Sequence, residues 1–479
     1  MALSKNAKLA ILAVIPLITF LLPAPEGLSL IAWRLLGVYI ATIVGLVIKP
    51  YGEPVILLAA IAVSGIIIGN TEGAKELVKV GNMLDGYKSG TTWLIFTAFT
   101  LSSAFVITGL GKRIAYHMIG AMGSTTLRLG YVTMFLDLLL SPATPSNTAR
   151  SGGIIFPIIN SVAVALGSDP EKSPKKAGRY LMMNVYMVVK TTSYIFLTAM
   201  APNALALSLM APILGFETTW IKWFLAASVP GLICLFLIPL ICYWVSPPEL
   251  KEVDNKAIAK KGLEELGPMS FREKALSVLF VIALFGWIFS DTLHVNATIV
   301  AIIVMVLCIM LSIVTWDDIL KSKGAWNTLV WYGGIIGMSG LLEKAGFFKW
   351  LANTLSTTLQ FEGHGMMALI VILTLSVAVR YLFASGGAYV AAMVPVFATV
   401  GHVAGAPAEL LALGLVFANA YGGSVTHYGG GPGPIAFGAG YNDIKSWWIA
   451  GAIIAFGSLI IHLTIGMAWW KLLISLGWL

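Results

Sequence analysis

Charge is scarce in this sequence. Only 11% of its 479 residues are Asp, Glu, Lys or Arg, against about 25% in soluble domains. That excludes a water-soluble globule. Cysteine is scarce too. Cys234, Cys242 and Cys308 all fall inside apolar runs, with no Cys-x-x-Cys pair and no His/Cys cluster. A disulfide framework and a zinc site are excluded, and neither a metal nor a cofactor is expected. Basic residues outnumber acidic ones, 30 against 22, yet no basic run alternates with aromatics. Nucleic acid is therefore not an expected partner. Alternating segments of about ten residues are also missing, which excludes a membrane β-barrel.

What is present is apolar sequence, 58% of the chain. Runs approaching the roughly 20 residues needed to span a bilayer recur throughout. They cover 9–22, 28–48, 55–68, 94–110, 220–245, 276–289, 297–314, 329–342, 367–383 and 447–470. The chain reads as an all-α polytopic membrane protein with the lipid bilayer as its partner. The first run follows Lys5 and Lys8 as a signal peptide would, but Pro23, Ala24 and Pro25 lead straight into another span. It is read as a retained first helix.

Residues 247–274 break the pattern. Twelve charges of both signs fall there, six of them Lys or Arg. This is a water-exposed connector between halves of similar length, 1–246 and 275–479. The first half would be one repeat with N-terminal scaffold helices, and the second the other repeat. The basic connector, Lys5 and Lys8, and the loop carrying Lys172, Lys175, Lys176 and Arg179 place the N-terminus and connector in the cytoplasm. Ordered pairs support a repeat: Gly109 with Gly346, Ala115 with Ala352, Ser146 with Ser385, Pro157 with Pro395. Internal repeats of this kind mark secondary transporters.

Each half holds two irregular stretches: 141–153 and 198–203, then 385–388 and 422–434. Irregular backbone at membrane depth survives only where protein buries it or a polar cavity meets it. Isolated glycines suit close helix packing. PSNT and GGGPGP do not, since proline and consecutive glycines break helices. Ser146, Asn147 and Thr148 precede a helix-like run. They can cap it, or, with the N–H groups and dipole of the helix start, hold an anion. Three polar residues facing hydrocarbon would cost several kcal/mol each, which favours a polar ligand.

TPSNTARSGGIIFPI, at 144–158, resembles the Ser-Asn-Thr hairpin of the divalent-anion/sodium symporter family, the INDY-like dicarboxylate transporters. The likeness is to the branch of plastid 2-oxoglutarate/malate translocators and bacterial citrate:succinate and tartrate:succinate antiporters. TTWLIF at 91–96, GLGKRIA at 109–115, FLTAMAPNALAL at 196–207, AWNTLV at 325–330 and YLFAS at 381–385 agree. The resemblance spans the chain. It implies two inverted repeats with re-entrant hairpins and broken helices, about eleven transmembrane helices, a homodimer and elevator motion. Small dicarboxylate anions such as succinate, malate, fumarate and 2-oxoglutarate would be the substrates. Ser146, Asn147, Thr148, Ser385, Gly386, Gly387, Pro202 and Thr426 would bind them, with the loops at 198–203 and 424–427 closing the site.

One departure is informative. The family's symporters repeat Ser-Asn-Thr in the second half, where this chain has Ser385-Gly386-Gly387-Ala388-Tyr389. The second sodium site is thereby put in doubt. Arg150, Lys190 and His427 lie in or near the irregular stretches, and intramembrane cations are usually functional. Fixed cations would then stand in for sodium and favour sodium-independent exchange. Arg150 could instead snorkel to the interface, Lys190 could serve a carboxylate or carbonyl, and His427 could be a neutral core histidine. Asp137 and Arg380, also in apolar sequence, could pair with each other or lie at opposite interfaces. The other readings are sodium- or proton-coupled symport, a passive anion channel, and a rhomboid-like serine protease carrying Gly337-Met338-Ser339-Gly340. A transporter in a bacterial cell membrane, and no enzyme, is the expectation.

Overall fold

The computed structural model describes residues 4–358 and 364–479. Among the described residues it is helical, apart from one isolated bridge between Thr125 and Glu252. Seven of the described helices are long and apolar enough to cross a membrane, from Leu30–Ile48 to Ile444–Ser475. Their outward Leu, Ile, Val and Phe side chains are exposed, as a hydrocarbon surround permits.

The same succession of elements occurs on both sides of the connector. Gly90–Thr108 and Lys323–Lys344 are long helices, each followed by a short one, Leu110–Met122 and Phe347–Thr358. The corners are Gly109 at φ 77° and Gly346 at φ 86°. A left-handed backbone at both corners explains why glycine stands at each. A hairpin comes next: Thr126–Leu140 turning into Asn147–Ala165, then Gly365–Arg380 turning into Gly386–Val403. A broken helix follows, Gly178–Ile195 to Ala201–Leu214 and Ala408–Gly422 to Pro432–Gly438. Trp220–Val245 and Ile444–Ile461 complete the two series.

The hairpin tips are set by capping. Ser146 Oγ accepts from Ala149 N at 3.1 Å, and Ser385 Oγ from Ala388 N at 3.3 Å. The first break is set by Pro202, which cannot donate to the preceding turn. The carbonyls freed there are satisfied by Asn203, whose Nδ2 donates to Ser193 O at 2.7 Å and Phe196 O at 3.2 Å.

The connector is more ordered than its composition suggests. Asn255–Leu266 is a helix laid against Leu110–Met122. Its small face does the packing: a Cβ at Gly262 would meet the Tyr116 ring at 2.3 Å. The lysines point outward. Lys175 O and Lys176 O accept from Glu249 N and Leu250 N, both at 3.0 Å. The two basic segments therefore lie together on one face of the molecule.

Candidate functional site

Gly178–Ile195 starts on that face and is buried along nearly its whole length. Lys190 lies twelve residues in, roughly 18 Å along the axis from that face. Its Nζ donates to Gly429 O at 3.0 Å. Tyr186, one turn earlier, donates to Gly423 O at 2.6 Å and Thr426 O at 3.0 Å. A helix of the first half thus serves carbonyls left open by the second break.

Three glycines make this contact possible. A Cβ at Gly430 would fall 2.8 Å from Lys190 Nζ, one at Gly431 2.0 Å from Thr148 Oγ1, and one at Gly429 2.1 Å from Gly423 O. The second break therefore touches Lys190 on one side and the first hairpin tip on the other. Ser146, Asn147 and Thr148 are all half-buried there. Asn147 Nδ2 donates to Ser193 Oγ at 3.1 Å, and Pro145 O accepts from Ala201 N at 2.9 Å. Tip and break meet closely, with half-buried Pro202 beside them.

Arg380 ends the first arm of the second hairpin and is 1% exposed. Its Nη2 donates to the same Gly429 O at 2.6 Å, Nη1 to Phe383 O at 2.5 Å, and Nε to Asn419 Oδ1 at 3.1 Å. Lys190 and Arg380 converge on one carbonyl. Among the described residues neither forms an ion pair with a carboxylate. A carbonyl accepts a hydrogen bond but does not cancel a charge, so the Arg380 guanidinium has no counter-charge among the described residues.

Several expectations change here. Arg150 neither snorkels nor offers a free charge. It is fully buried, with Nε 2.8 Å from Asp137 Oδ1, and it donates to Thr144 O at 2.8 Å and Ala199 O at 3.0 Å. Its charge is matched, and it clamps the first tip to the first break. Asp137 pairs with Arg150 and not with Arg380. His427 is half-buried and accepts at Nδ1 from Trp448 Nε1 at 3.2 Å. Gly387 faces the Trp331 ring, which a Cβ would meet at 2.8 Å. Thr426 is buried within its own loop. Arg380 and Asn419 were missed as site residues, although both are polar groups in apolar sequence close to a predicted irregular stretch.

Ser339 lies inside Lys323–Lys344 and is 4% exposed. Gly337 beside it packs on the Met83 carbonyl, which a Cβ would meet at 2.3 Å. This is helix packing through small residues. A cavity of about 720 Å³ reaches Leu197 and Ala204 of the first broken helix, and Glu217, Asp291 and His294 are among its lining residues.

The profile of the sodium:sulfate symporter transmembrane region matches residues 3–476. The inner membrane protein YbhI of Escherichia coli is 60% identical over 98% of both chains. The putative malate transporter YflS of Bacillus subtilis is 38% identical over 98% of this chain and 97% of its own. The citrate/succinate antiporter of Escherichia coli is 36% identical over 94% and 95%. The crystal structure of the Alcanivorax borkumensis YdaH transporter aligns with a TM-score of 0.57 at 12% identity, covering 89% of this chain and 97% of that one. At that identity the likeness is one of fold.

Proposed function

This chain belongs to the family of the sodium:sulfate symporter transmembrane region, and we propose that it is a dicarboxylate exchanger in which fixed cations replace bound sodium. That it is a transporter rather than an enzyme, and multi-pass in the membrane, follows from the family. The observation that carries the finer reading is the pair Lys190 and Arg380 on Gly429 O, at 3.0 and 2.6 Å and without an acidic partner among the described residues. Two like charges in a low-dielectric interior repel each other. A dianion bound between the hairpin tips neutralises both. Bound sodium could leave with a substrate, whereas these side chains cannot, so the empty carrier stays charged and crosses rarely. Exchange is the consequence. The relatives named for malate and for citrate/succinate support a short di- or tricarboxylate, and succinate is the dicarboxylate used as the probe.

The two similar series of elements are read as inverted repeats on either side of a cytoplasmic connector, with the N-terminus cytoplasmic. The hairpins and broken helices would move together as an elevator within a homodimer, as the family resemblance implies.

Proteoliposomes test the reading. Labelled succinate should enter vesicles preloaded with succinate or malate, and the uptake should be the same with and without a sodium gradient. Robust sodium-driven uptake into empty vesicles overturns exchange in favour of symport.

A further inference from the structure

We propose that the second hairpin carries its own cationic carboxylate subsite, formed by Arg380, Asn419 and the N–H groups at Gly386, and that the substrate's two carboxylates therefore occupy unlike environments. The inference rests on the dicarboxylate reading above and adds where each end binds. Ser385 Oγ is engaged by Ala388 N at 3.3 Å, so the serine kept from the family motif caps its helix. Gly386 opens an 18-residue helix, Gly386–Val403, whose first N–H groups lack intrahelical acceptors. Such a helix start attracts an anion, and two buried polar groups converge on it. A Cβ at Gly386 would lie 3.5 Å from Arg380 Nη2, 3.5 Å from Asn419 Oδ1 and 3.7 Å from Asn419 Nδ2.

Asn419 is 1% exposed, and its Nδ2 has no hydrogen-bond partner. Its Oδ1 is held by Arg380 Nε, which fixes the amide in this orientation. A buried amide donor left unpaired is costly, and a carboxylate oxygen at Gly386 would satisfy it. The guanidinium donates to Phe383 O, Gly429 O and the Asn419 oxygens, all uncharged, and stands 5.5 Å from the Tyr389 ring centroid. Its charge is free to meet an anion. At the first tip the nearby arginine, Arg150, is already paired with Asp137. The first subsite is therefore built from neutral groups, Thr148 and Asn147, whose Nδ2 also meets Ser193 Oγ at 3.1 Å and Met200 Sδ at 3.4 Å, and the second carries a net positive charge. Arg380 and Asn419, brought in from outside the motif, replace the amide and hydroxyl that Gly386 and Gly387 lack.

The test is binding of succinate and of monomethyl succinate, which has a single carboxylate, to purified protein. Gly386→Ala adds a methyl at ordinary contact distance, so the fold should persist, while the space between Arg380 and Asn419 is filled. Succinate affinity should fall at least tenfold, the scale of one charge-assisted hydrogen bond. Arg380→Gln should weaken both ligands, about ten- to hundredfold. Asn147→Ala should weaken succinate alone, because the single carboxylate settles at the charged end. The subsite is overturned if folded Gly386→Ala binds succinate with wild-type affinity, or if Asn147→Ala and Arg380→Gln weaken the two ligands in the same ratio. Failure of the exchanger reading would appear separately, as sodium dependence of the wild-type protein.

Discussion

Asp137→Asn should be among the most destabilising single substitutions in this protein, at about 3–5 kcal/mol. The substitution keeps the side chain's size and removes its charge. Arg150 is then left as a buried, uncompensated cation, still donating to Thr144 O at 2.8 Å and Ala199 O at 3.0 Å. Those carbonyls satisfy its N–H groups but not its charge. Native stabilities are of order 5–15 kcal/mol, so a loss of this size should appear as a large drop in unfolding midpoint or as failure to accumulate in the membrane. Arg150→Gln alone strands the Asp137 carboxylate and should cost a similar amount. The double variant should recover much of the loss, giving a coupling energy well above the 0.3–0.5 kcal/mol or so expected for independent sites. Strictly additive losses would mean that the 2.8 Å contact is not an energetic pair.

Lys190→Met should change transport more than stability. The substitution keeps the buried stem and removes the ammonium that, in the proposed mechanism, is one of two unmatched charges at Gly429. A charge unpaired at membrane depth costs about 2.5–3.5 kcal/mol on insertion scales, on the order of a hundredfold in population. The empty carrier should then cross more readily, while succinate binds less tightly. Efflux of labelled succinate into substrate-free buffer should rise at least about tenfold relative to efflux into succinate. Arg150→Gln should not raise that ratio, since its charge is already matched by Asp137. His427 substitutions should also leave it unchanged, since the ring is engaged by Trp448 and does not reach Gly429 O. A wild-type ratio together with wild-type affinity in Lys190→Met would show that Lys190 does nothing more than hold the loop carbonyl of Gly429.

The irregular stretches were legible in the sequence because proline and consecutive glycines end helices wherever they stand. PSNT became the first tip, Pro202 the first restart, and GGGPGP the second break. The pairing of Gly109 with Gly346 was legible as well, since both corners need the same left-handed backbone. Charge partners were not legible. Asp137 and Arg150 are 13 residues apart, and only the turn at 144–146 brings them together. Arg380 looked like any intramembrane cation, because Asn419 and Gly429 lie 39 and 49 residues further along the chain. His427 read as a potential charge, and its partner Trp448 lies 21 residues away. The connector's polarity was plain from composition. Its docked helix was not, because it depends on Ala259 and Gly262 fitting against Tyr116 and Gly120.

The central claim is that fixed cations do the work of sodium. It is tested most directly by equilibrium binding of labelled succinate to the purified protein, with sodium fully replaced by choline at constant ionic strength. Constant ionic strength matters, because screening alone alters charge-dependent binding. The dissociation constant should be the same in both salts, within about a factor of two, the scale of a few tenths of a kcal/mol. A tenfold or greater loss of affinity in choline would contradict it, and would mean that Lys190 and Arg380 do not replace the ion.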